Sequence, residues 1–383
     1  MESLFGSAVM SVPRKALRKN NMLKKLQEGS CSFYASVGKI SKELPVFYNP
    51  EMKLNRDISI LLLKSISDKD LRILDLLAGS GIRSARFIKE LPASKIKEIT
   101  VNDKNKDAVK LIKKNLRLNK VRAKVFNKDA NELLIQSEGF DYIDVDPFGS
   151  PNPFLDNAVK RLSRNGVLAV TATDTSALCG SFISACKRKY WAAPLRNYMM
   201  HETGIRILIR KVQLIGAQYD KALEPIFSHS TRHYMRVYFR CIKSKTAVDK
   251  ILNKHRYLLF CNKCMDIVVH PQNKEVCCKK SMAWAGPLWT GQLWDRKLIL
   301  SMLKKLDKDN AALLNLMSII NAESKLNVPY FFSVPLICKK LRKSCPKQES
   351  ILKIGKSAQT HFALDSVRSK INIKKLKKFI QAL

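Results

Sequence analysis

The stretch Asp144-Val145-Asp146-Pro147-Phe148-Gly149-Ser150-Pro151 puts two acids, two prolines and an aromatic where the apolar run Phe140, Tyr142, Ile143 ends. Residues of these types can hold a flat molecule that carries an exocyclic amine. Such an amine is a poor nucleophile, because its lone pair is delocalised into the ring. It reacts when a carboxylate and a backbone carbonyl accept its two hydrogens, directing the lone pair outward and providing a destination for the proton. Asp146 and the carbonyl of Pro147 would supply these acceptors. The proline fixes the backbone, and Phe148 offers a stacking face. The plainer account is a strand-ending Asp-Pro turn with Phe148 in the core, but the Gly-Ser-Pro that follows is a poor setting for a core element. Asp144 lies on the same side of the strand as Asp146. Either the two carboxylates raise one another's pKa, or Asp144 is a solvent-facing structural residue.

A second constellation precedes this one. Asp75-x-x-Ala78-Gly79-Ser80-Gly81 is a strand-to-helix turn of small residues, which lets the backbone approach a ligand and exposes the amides of a helix start. Asp103 ends the next apolar segment, where a carboxylate can accept hydrogen bonds from both hydroxyls of a ribose. Asp129-Ala130 ends a third, where a side chain and a backbone amide can read an adenine edge. Each acid alone is explained equally well as a helix cap. Three in register, without the third glycine of the dinucleotide fingerprint, resemble the S-adenosylmethionine site of class I methyltransferases more than an NAD or FAD site.

These residues need elements to carry them. Residues 71–77 read as a buried strand, followed by a helix through Arg86 to Leu91, a strand over 98–103, an amphipathic helix over about 106–118, and strands over 123–126, 140–145 and 166–173. The alternation predicts a doubly wound, Rossmann-like α/β sheet whose ligands sit at the carboxyl ends of its strands. Near residue 245 the composition changes to a cysteine group, a Trp/Gly/Pro-rich stretch and Lys-rich helical periodicity. We therefore expect a basic N-terminal arm over 1–27, a catalytic domain over 28–245 and a smaller C-terminal α+β domain over 246–383.

The 383 residues carry 70 Lys+Arg against 32 Asp+Glu, a net charge of +38, which points to a polyanionic partner such as nucleic acid. A lysine-rich, well-solvated surface accounts for part of this excess. No apolar run has the length of a membrane span, and ten scattered cysteines suit a reducing compartment. The basic, Ser-containing N-terminus has the composition of an organellar transit segment and equally of an arm that touches RNA. The expected location is nuclear, cytoplasmic or organellar.

Beside these motifs stand Pro45-Val46-Phe47-Tyr48-Asn49-Pro50, Asn55-Arg56-Asp57, Gly81-Ile82-Arg83, Thr171-Ala172-Thr173-Asp174, His201-Glu202-Thr203-Gly204-Ile205-Arg206 and Ala285-Gly286-Pro287-Leu288-Trp289. Together with the segment at 144–151 they resemble the tRNA guanine-26 N2-dimethyltransferase family, from about residue 28 to at least 295 and again at Thr360-His361-Phe362. The resemblance implies transfer of two methyl groups from S-adenosylmethionine to the exocyclic amine of a tRNA guanine. It further implies that Arg56 and Arg83 hold the methionine carboxylate, Asp103 the ribose, and Asp129 with Ala130 the adenine. Asp146 would be the catalytic carboxylate, with Phe47 and Phe148 bracketing the guanine.

Two features lie farther on. Cys261-x-x-Cys264 and Cys277-Cys278 are similar to the four-cysteine zinc knuckle that family often carries. Adjacent cysteines do not readily face one metal together, so the segment is either an altered zinc site or a degenerate knuckle held by packing. The runs Lys339-Lys340-Leu341-Arg342-Lys343 and Lys374-Lys375-Leu376-Lys377-Lys378 would grip tRNA phosphates, or are solvated helix faces. The expected partner is tRNA, bound by a monomer. Two other functions compete: an amino methyltransferase acting on adenine, and a basic RNA-binding protein whose methyltransferase fold no longer works.

Overall fold

The computed structural model describes residues 23–36, 46 and 48–383; Phe47 and most of the basic arm lie outside the described residues. A hairpin, β1 (Leu23–Glu28) and β2 (Cys31–Ser36), opens the described chain, and α1 (Lys53–Ser65) follows. The alternating unit then runs β3 (Leu71–Asp75), α2 (Ile82–Glu90), β4 (Ile96–Asn102), α3 (Lys106–Leu118), β5 (Lys124–Phe126), α4 (Ala130–Gln136), β6 (Phe140–Val145), α5 (Asn152–Arg161) and β7 (Leu162–Ala172). Short helices α6 (Thr175–Leu178) and α7 (Ile183–Tyr190) lead to the long α8 (Met200–Ala217) and a closing hairpin, β8 (Lys221–Thr231) and β9 (Tyr234–Lys243).

Seven strands form one sheet in the order β5-β4-β3-β6-β7-β9-β8. The first five are parallel, and β9 and β8 run antiparallel to their neighbours. Helices on both faces bury the parallel strands, so these read as continuous apolar runs: Ile73, Leu74, Tyr142, Ile143, Leu168 and Val170 have no exposure. Right-handed crossovers fill one face while the chain moves outward from β3 to β5 and the other after it returns to β6. That return makes β3 and β6 neighbours and opens a crevice above their carboxyl ends. The sheet thus realises the expected α/β class, with β3 two residues shorter than the apolar run because Leu76 and Leu77 already belong to the turn.

Lys243 ends the last strand of the sheet, and Ser244 caps α9 (Lys245–Leu252) by accepting from the amide of Ala247. Beyond it lie β10 (His255–Phe260), β11 (Ile267–His270), β12 (Val276–Cys277), β13 (Lys280–Ser281), β14 (Ala283–Trp289), α10 (Arg296–Lys304), α11 (Ala311–Glu323), β15 (Phe332–Ser333), α12 (Val334–Leu341), α13 (Gln348–Leu352), β16 (Ser357–Gln359), β17 (Ser366–Ser369) and α14 (Ile373–Ala382). This α+β region is docked onto the first, since one buried apolar cluster runs from Cys31 to Ile380. Ser301 of α10 and Lys305, which caps its end, also donate to the carbonyls that end α1, Ser65 at 3.0 Å and Lys64 at 2.6 Å. Among the described residues no helix is long and apolar enough to cross a membrane.

Candidate active site

A cavity of about 650 Å³ opens above the carboxyl ends of β3 and β6. Of the expected site residues, Arg56, Asp75, Gly79, Arg83, Asp103, Asp146, Pro147 and Phe148 line it. Gly81, Asp129 and Ala130 are not part of that lining, and Phe47 is outside the described residues.

The glycine turn is built by geometry that other residues would strain. Gly79 and Gly81 have φ of 54° and 74°, in the region that favours glycine, and a Cβ on Gly81 would meet Ile112 of α3 at 3.0 Å. Gly79 donates its amide to Asp103 Oδ2 at 2.8 Å, and Asn105 donates to Oδ1 at the same distance. Burial raises the Asp103 carboxyl despite these two amides. Asp75 is buried, accepts from Ser84 Oγ at 2.7 Å, and is pushed by that burial to about 7. Asp129 caps α4 by accepting from the amide of Asn131 at 3.0 Å and pairs with Lys104 at 3.2 Å. Its role as a helix cap is therefore realised beside the cavity, with Ala130 buried behind it.

The end of β6 is the electrostatic centre of the site. Asp144 has no exposure. It accepts from Arg236 Nη1 and Nη2 at 3.0 and 2.7 Å and from the Tyr142 hydroxyl at 2.8 Å, and Arg83 approaches at 3.3 Å. Burial alone would raise its carboxyl, but Arg236 and Arg83 hold it below the usual carboxylate range. Neither sequence-based expectation for Asp144 holds: it does not face solvent, and it lacks the raised pKa of a carboxylate pair because Arg236 and Arg83 both pair with it. Arg83 is the bridge between the acids. It pairs with Asp146 Oδ2 and donates to Asn55 Oδ1 at 3.1 Å and Ser59 Oγ at 3.0 Å. Asp146 keeps Oδ1 without a hydrogen bond among the described residues, and its side chain is 17% exposed. Pro147 is buried and Phe148 is exposed on the cavity side, so Phe148 is not a core residue.

Arg56 is also engaged. Its Nε and Nη2 donate to the carboxylate of Glu28, the former at 2.6 Å, and Arg86 donates to the same carboxylate at 2.8 Å. Burial would raise Glu28, but these two arginines bring it down to about 2. Glu28 thereby locks the β1–β2 hairpin against the cavity wall. It carried no chemical signature in the sequence. Arg236 did offer one, as a cation at an inward position of the apolar strand Tyr234–Lys243, where a buried charge demands a partner.

Three of the motifs, 201–206, 285–289 and 360–362, contribute no residue to the cavity lining, and the first and last meet elsewhere. Glu202 and Arg206 of α8 meet Arg368, Glu323 and His361 across the junction of the two regions. Arg368 donates to Glu202 at 2.8 Å and to Glu323 at 3.0 Å, Arg206 donates to Glu202 at 3.0 Å, and His361 Nδ1 lies 2.6 Å from Glu323. Thr360 donates to the same acid at 2.5 Å.

The cysteine group closes into a cluster. The sulfurs of Cys261, Cys264, Cys277 and Cys278 all lie within 4.8 Å of one another, close to the ~3.8 Å separation that four thiolates need around zinc at ~2.3 Å. The obstacle of adjacency is removed by the backbone. Cys278 and Lys279 take φ of 54° and 62°, forming the two-residue turn between β12 and β13 that suits a tight hairpin and swings both sulfurs to one side. The donor set fits a structural metal far from the cavity. Two of the expected phosphate-binding lysines serve this knuckle instead: Lys340 donates to the carbonyls of Asn262 and Lys263 at 2.5 and 3.0 Å, and Lys377 to that of Cys264 at 2.9 Å. Lys339, Arg342, Lys374, Lys375 and Lys378 remain exposed.

Comparison with known proteins agrees with this geometry. The family model described as N2,N2-dimethylguanosine tRNA methyltransferase matches residues 19–381. A tRNA (guanine(26)-N(2))-dimethyltransferase of Methanobrevibacter smithii is 38% identical over 94% of this chain and 98% of its own length. A tRNA (guanine(26)-N(2)/guanine(27)-N(2))-dimethyltransferase of Aquifex aeolicus is 34% identical over 90% of this chain and 92% of its own. The structure of Trm1 from Pyrococcus horikoshii with S-adenosyl-L-methionine superposes with a TM-score of 0.83 at 32% identity, covering 94% of this chain and all of that one. With its sheet, glycine turn and Asp146-Pro147-Phe148 strand end in place, the chain belongs to the N2,N2-dimethylguanosine tRNA methyltransferase family.

Proposed function

We infer that this chain is a methyltransferase that uses S-adenosylmethionine to place two methyl groups on the exocyclic N2 of guanine 26 in tRNA. The observation that carries the reading is Asp146-Pro147-Phe148 at the switch point of the sheet, in one cavity with the glycine turn and Asp103. S-adenosylmethionine, when bound, supplies an electrophilic methyl. Asp103 would hold the ribose, the backbone at Gly79 and Gly81 would let the ligand approach, and Asp75 would close the floor. Arg56, through the Nη1 that Glu28 leaves unengaged, and Arg83 would hold the methionine carboxylate. Asp129 and Ala130 would read the adenine edge from the strand end beside the cavity.

Phe148, with Phe47, would hold the guanine by stacking. Asp146 Oδ1 and the Pro147 carbonyl, neither hydrogen-bonded among the described residues, would accept the two amine hydrogens. The lone pair would then be aimed outward, and Asp146 would take the amine proton released when the methyl leaves the sulfonium sulfur for N2. Arg83 fixes the carboxylate from the opposite oxygen, so the acceptor cannot rotate away. After the first transfer one N–H remains for one of these acceptors, and the pocket must accommodate the methyl that replaced the other hydrogen. The region over 246–383 would grip tRNA phosphates through exposed cations such as Lys339 and Lys374, with zinc on the four cysteines stiffening it. A monomer suits a chain that carries its own RNA-gripping region, and light scattering reads that mass directly.

The test is purified protein with radiolabelled S-adenosylmethionine and unmodified tRNA, followed by nucleoside analysis. Label in dimethylguanosine that disappears in Asp146→Ala, while tRNA is still bound, supports the reading. Label in methyladenosine, or binding without transfer, sinks it.

A further inference from the structure

One surface outside the cavity combines exposed rings, consecutive cations and direct bonds to the loop that carries Phe148. Helix α7 ends in Lys187, Arg188 and Lys189 and buries only Cys186 and Tyr190. Its first residue and the two that flank it are large and apolar yet open to solvent: Ile183 is 51% exposed, Phe182 63% and Trp191 48%. Large apolar groups clustered on a surface mark a contact site, and cations between them select an anionic occupant.

The arrangement is held in place. Trp191 has a left-handed backbone, φ 57°, and its carbonyl accepts from Arg210 at 3.1 Å. Lys211 Nζ sits over one face of its ring, 2.9 Å from the centroid. The helix is also tied to the candidate active site. Tyr190 donates to Asp174 at 2.6 Å and lies 3.0 Å from Ser150 Oγ, and Asn152 donates to the carbonyl of Lys189 at 2.7 Å. Ser150 lines the cavity with Phe148, so α7 and the Asp146-Pro147-Phe148 strand end are positioned together.

We propose that the surface of α7 from Phe182 to Trp191 takes the RNA strand flanking the target guanine, with Lys187 and Arg188 on phosphates and Phe182 and Trp191 stacked on bases. This rests on the reading of the chain as a tRNA methyltransferase. A guanine that leaves the helical stack deprives its neighbours of a stacking partner, and aromatic rings on a helix bonded to the cavity loop replace it. Cations alone would suit any phosphate run; rings beside them suit a locally opened strand.

The experiment compares the full-length chain with two double variants, Lys187→Ala with Arg188→Ala and Phe182→Ala with Trp191→Ala. Unmodified tRNA affinity is measured against salt, with S-adenosylmethionine affinity as the readout of an intact fold. The cation pair is expected to weaken tRNA binding by about tenfold and to reduce the slope of log affinity against log salt by roughly 1–2, as two lost phosphate contacts require. The aromatic pair is expected to raise KM for tRNA by about tenfold or more with the salt slope unchanged, as lost base stacking requires. Active wild type with both variants indifferent overturns the α7 surface. So does a loss of S-adenosylmethionine affinity equal to the loss for tRNA, which would make α7 a support of the cavity. Unchanged tRNA binding with a loss of self-association would make it a protein interface, and would overturn it too. Wild-type protein that neither binds nor methylates tRNA is a different result, and it sinks the functional reading itself.

Discussion

Beneath the cavity, Asp144 is clasped by Arg236 and Arg83; at the junction of the two regions, Arg368 is clasped by Glu202 and Glu323. Both clusters are sealed from water, and in both the loss of one partner strands a charge with nothing to solvate it. They differ at one end. Arg83 hands the first cluster on to Asp146, which is partly exposed in the cavity. The second closes on itself: Glu323 accepts from Thr360 and pairs with His361, and Arg206 donates to the carbonyls of Trp289 and Gly291. The same chemistry therefore positions a reacting group where the chain of contacts meets a void, and joins two regions where it meets a packed wall.

This contrast is most severely strained by Arg236→Met. The Asp144 carboxylate would keep Arg83 alone and draw it away from Asp146. We expect about 3–5 kcal/mol of lost stability and, in the protein that remains folded, a fall in kcat of about 10³ from a misplaced acceptor. Chemical denaturation and single-turnover methyl transfer read the two effects; full activity in the folded fraction would break the link between this cluster and the reaction. Arg368→Met is the matching change at the junction. A similar loss of stability is expected, with methyl transfer per folded molecule within about threefold of wild type. A drop as large as that of Arg236→Met would erase the distinction between the clusters.

Acid titration should separate the junction cluster, and the Glu28 pairs with Arg56 and Arg86, from ordinary surface pairs. Glu28 and Glu323 are each held near 2, below the usual value of 4.5. Their stabilisation is present above about 4.5 and is lost as pH falls towards 2, by on the order of 3 kcal/mol for each acid. Denaturation free energy measured across that window should lose the slope of roughly one proton in Glu323→Gln; an unchanged slope refutes the burial of that charge. The smallest effect belongs to the knuckle. With zinc on the four cysteines, chelation or Cys277→Ser should lower the melting temperature by a few degrees and leave methyl transfer intact, because none of the four lines the cavity. Native mass spectrometry would count the metal, and zinc-dependent catalysis would contradict its structural role.

The fold was legible because its signals are local. Apolar runs of strand length alternating with the 3.6-residue pattern of Lys106–Leu118 need only neighbouring residues to be read, and the helix observed there has those same bounds. The acids at strand ends were legible for the same reason, since a topology of parallel strands gathers its carboxyl ends on one side. What could not be read was the pairing of charges distant in the chain. Glu28 with Arg56, and Glu202 with Arg368, are separated by tens to hundreds of residues, and no periodicity announces them. The convergence of two adjacent cysteines was equally hidden, because it depends on the left-handed turn at Cys278 and Lys279.

Residue type and spacing alone determined the sheet, the order of its motifs, and the pairing of Asp146 with Pro147 and Phe148, since these follow from the chain's local chemistry. Tertiary structure decided the rest. It made Asp144 a buried anchor and Arg83 the bridge to Asp146. It spent Lys340 and Lys377 on the knuckle and sent two motifs to a junction instead of the cavity. The reason is physical: a charge removed from water must find its counter-charge in space, and only the folded chain says which one is near.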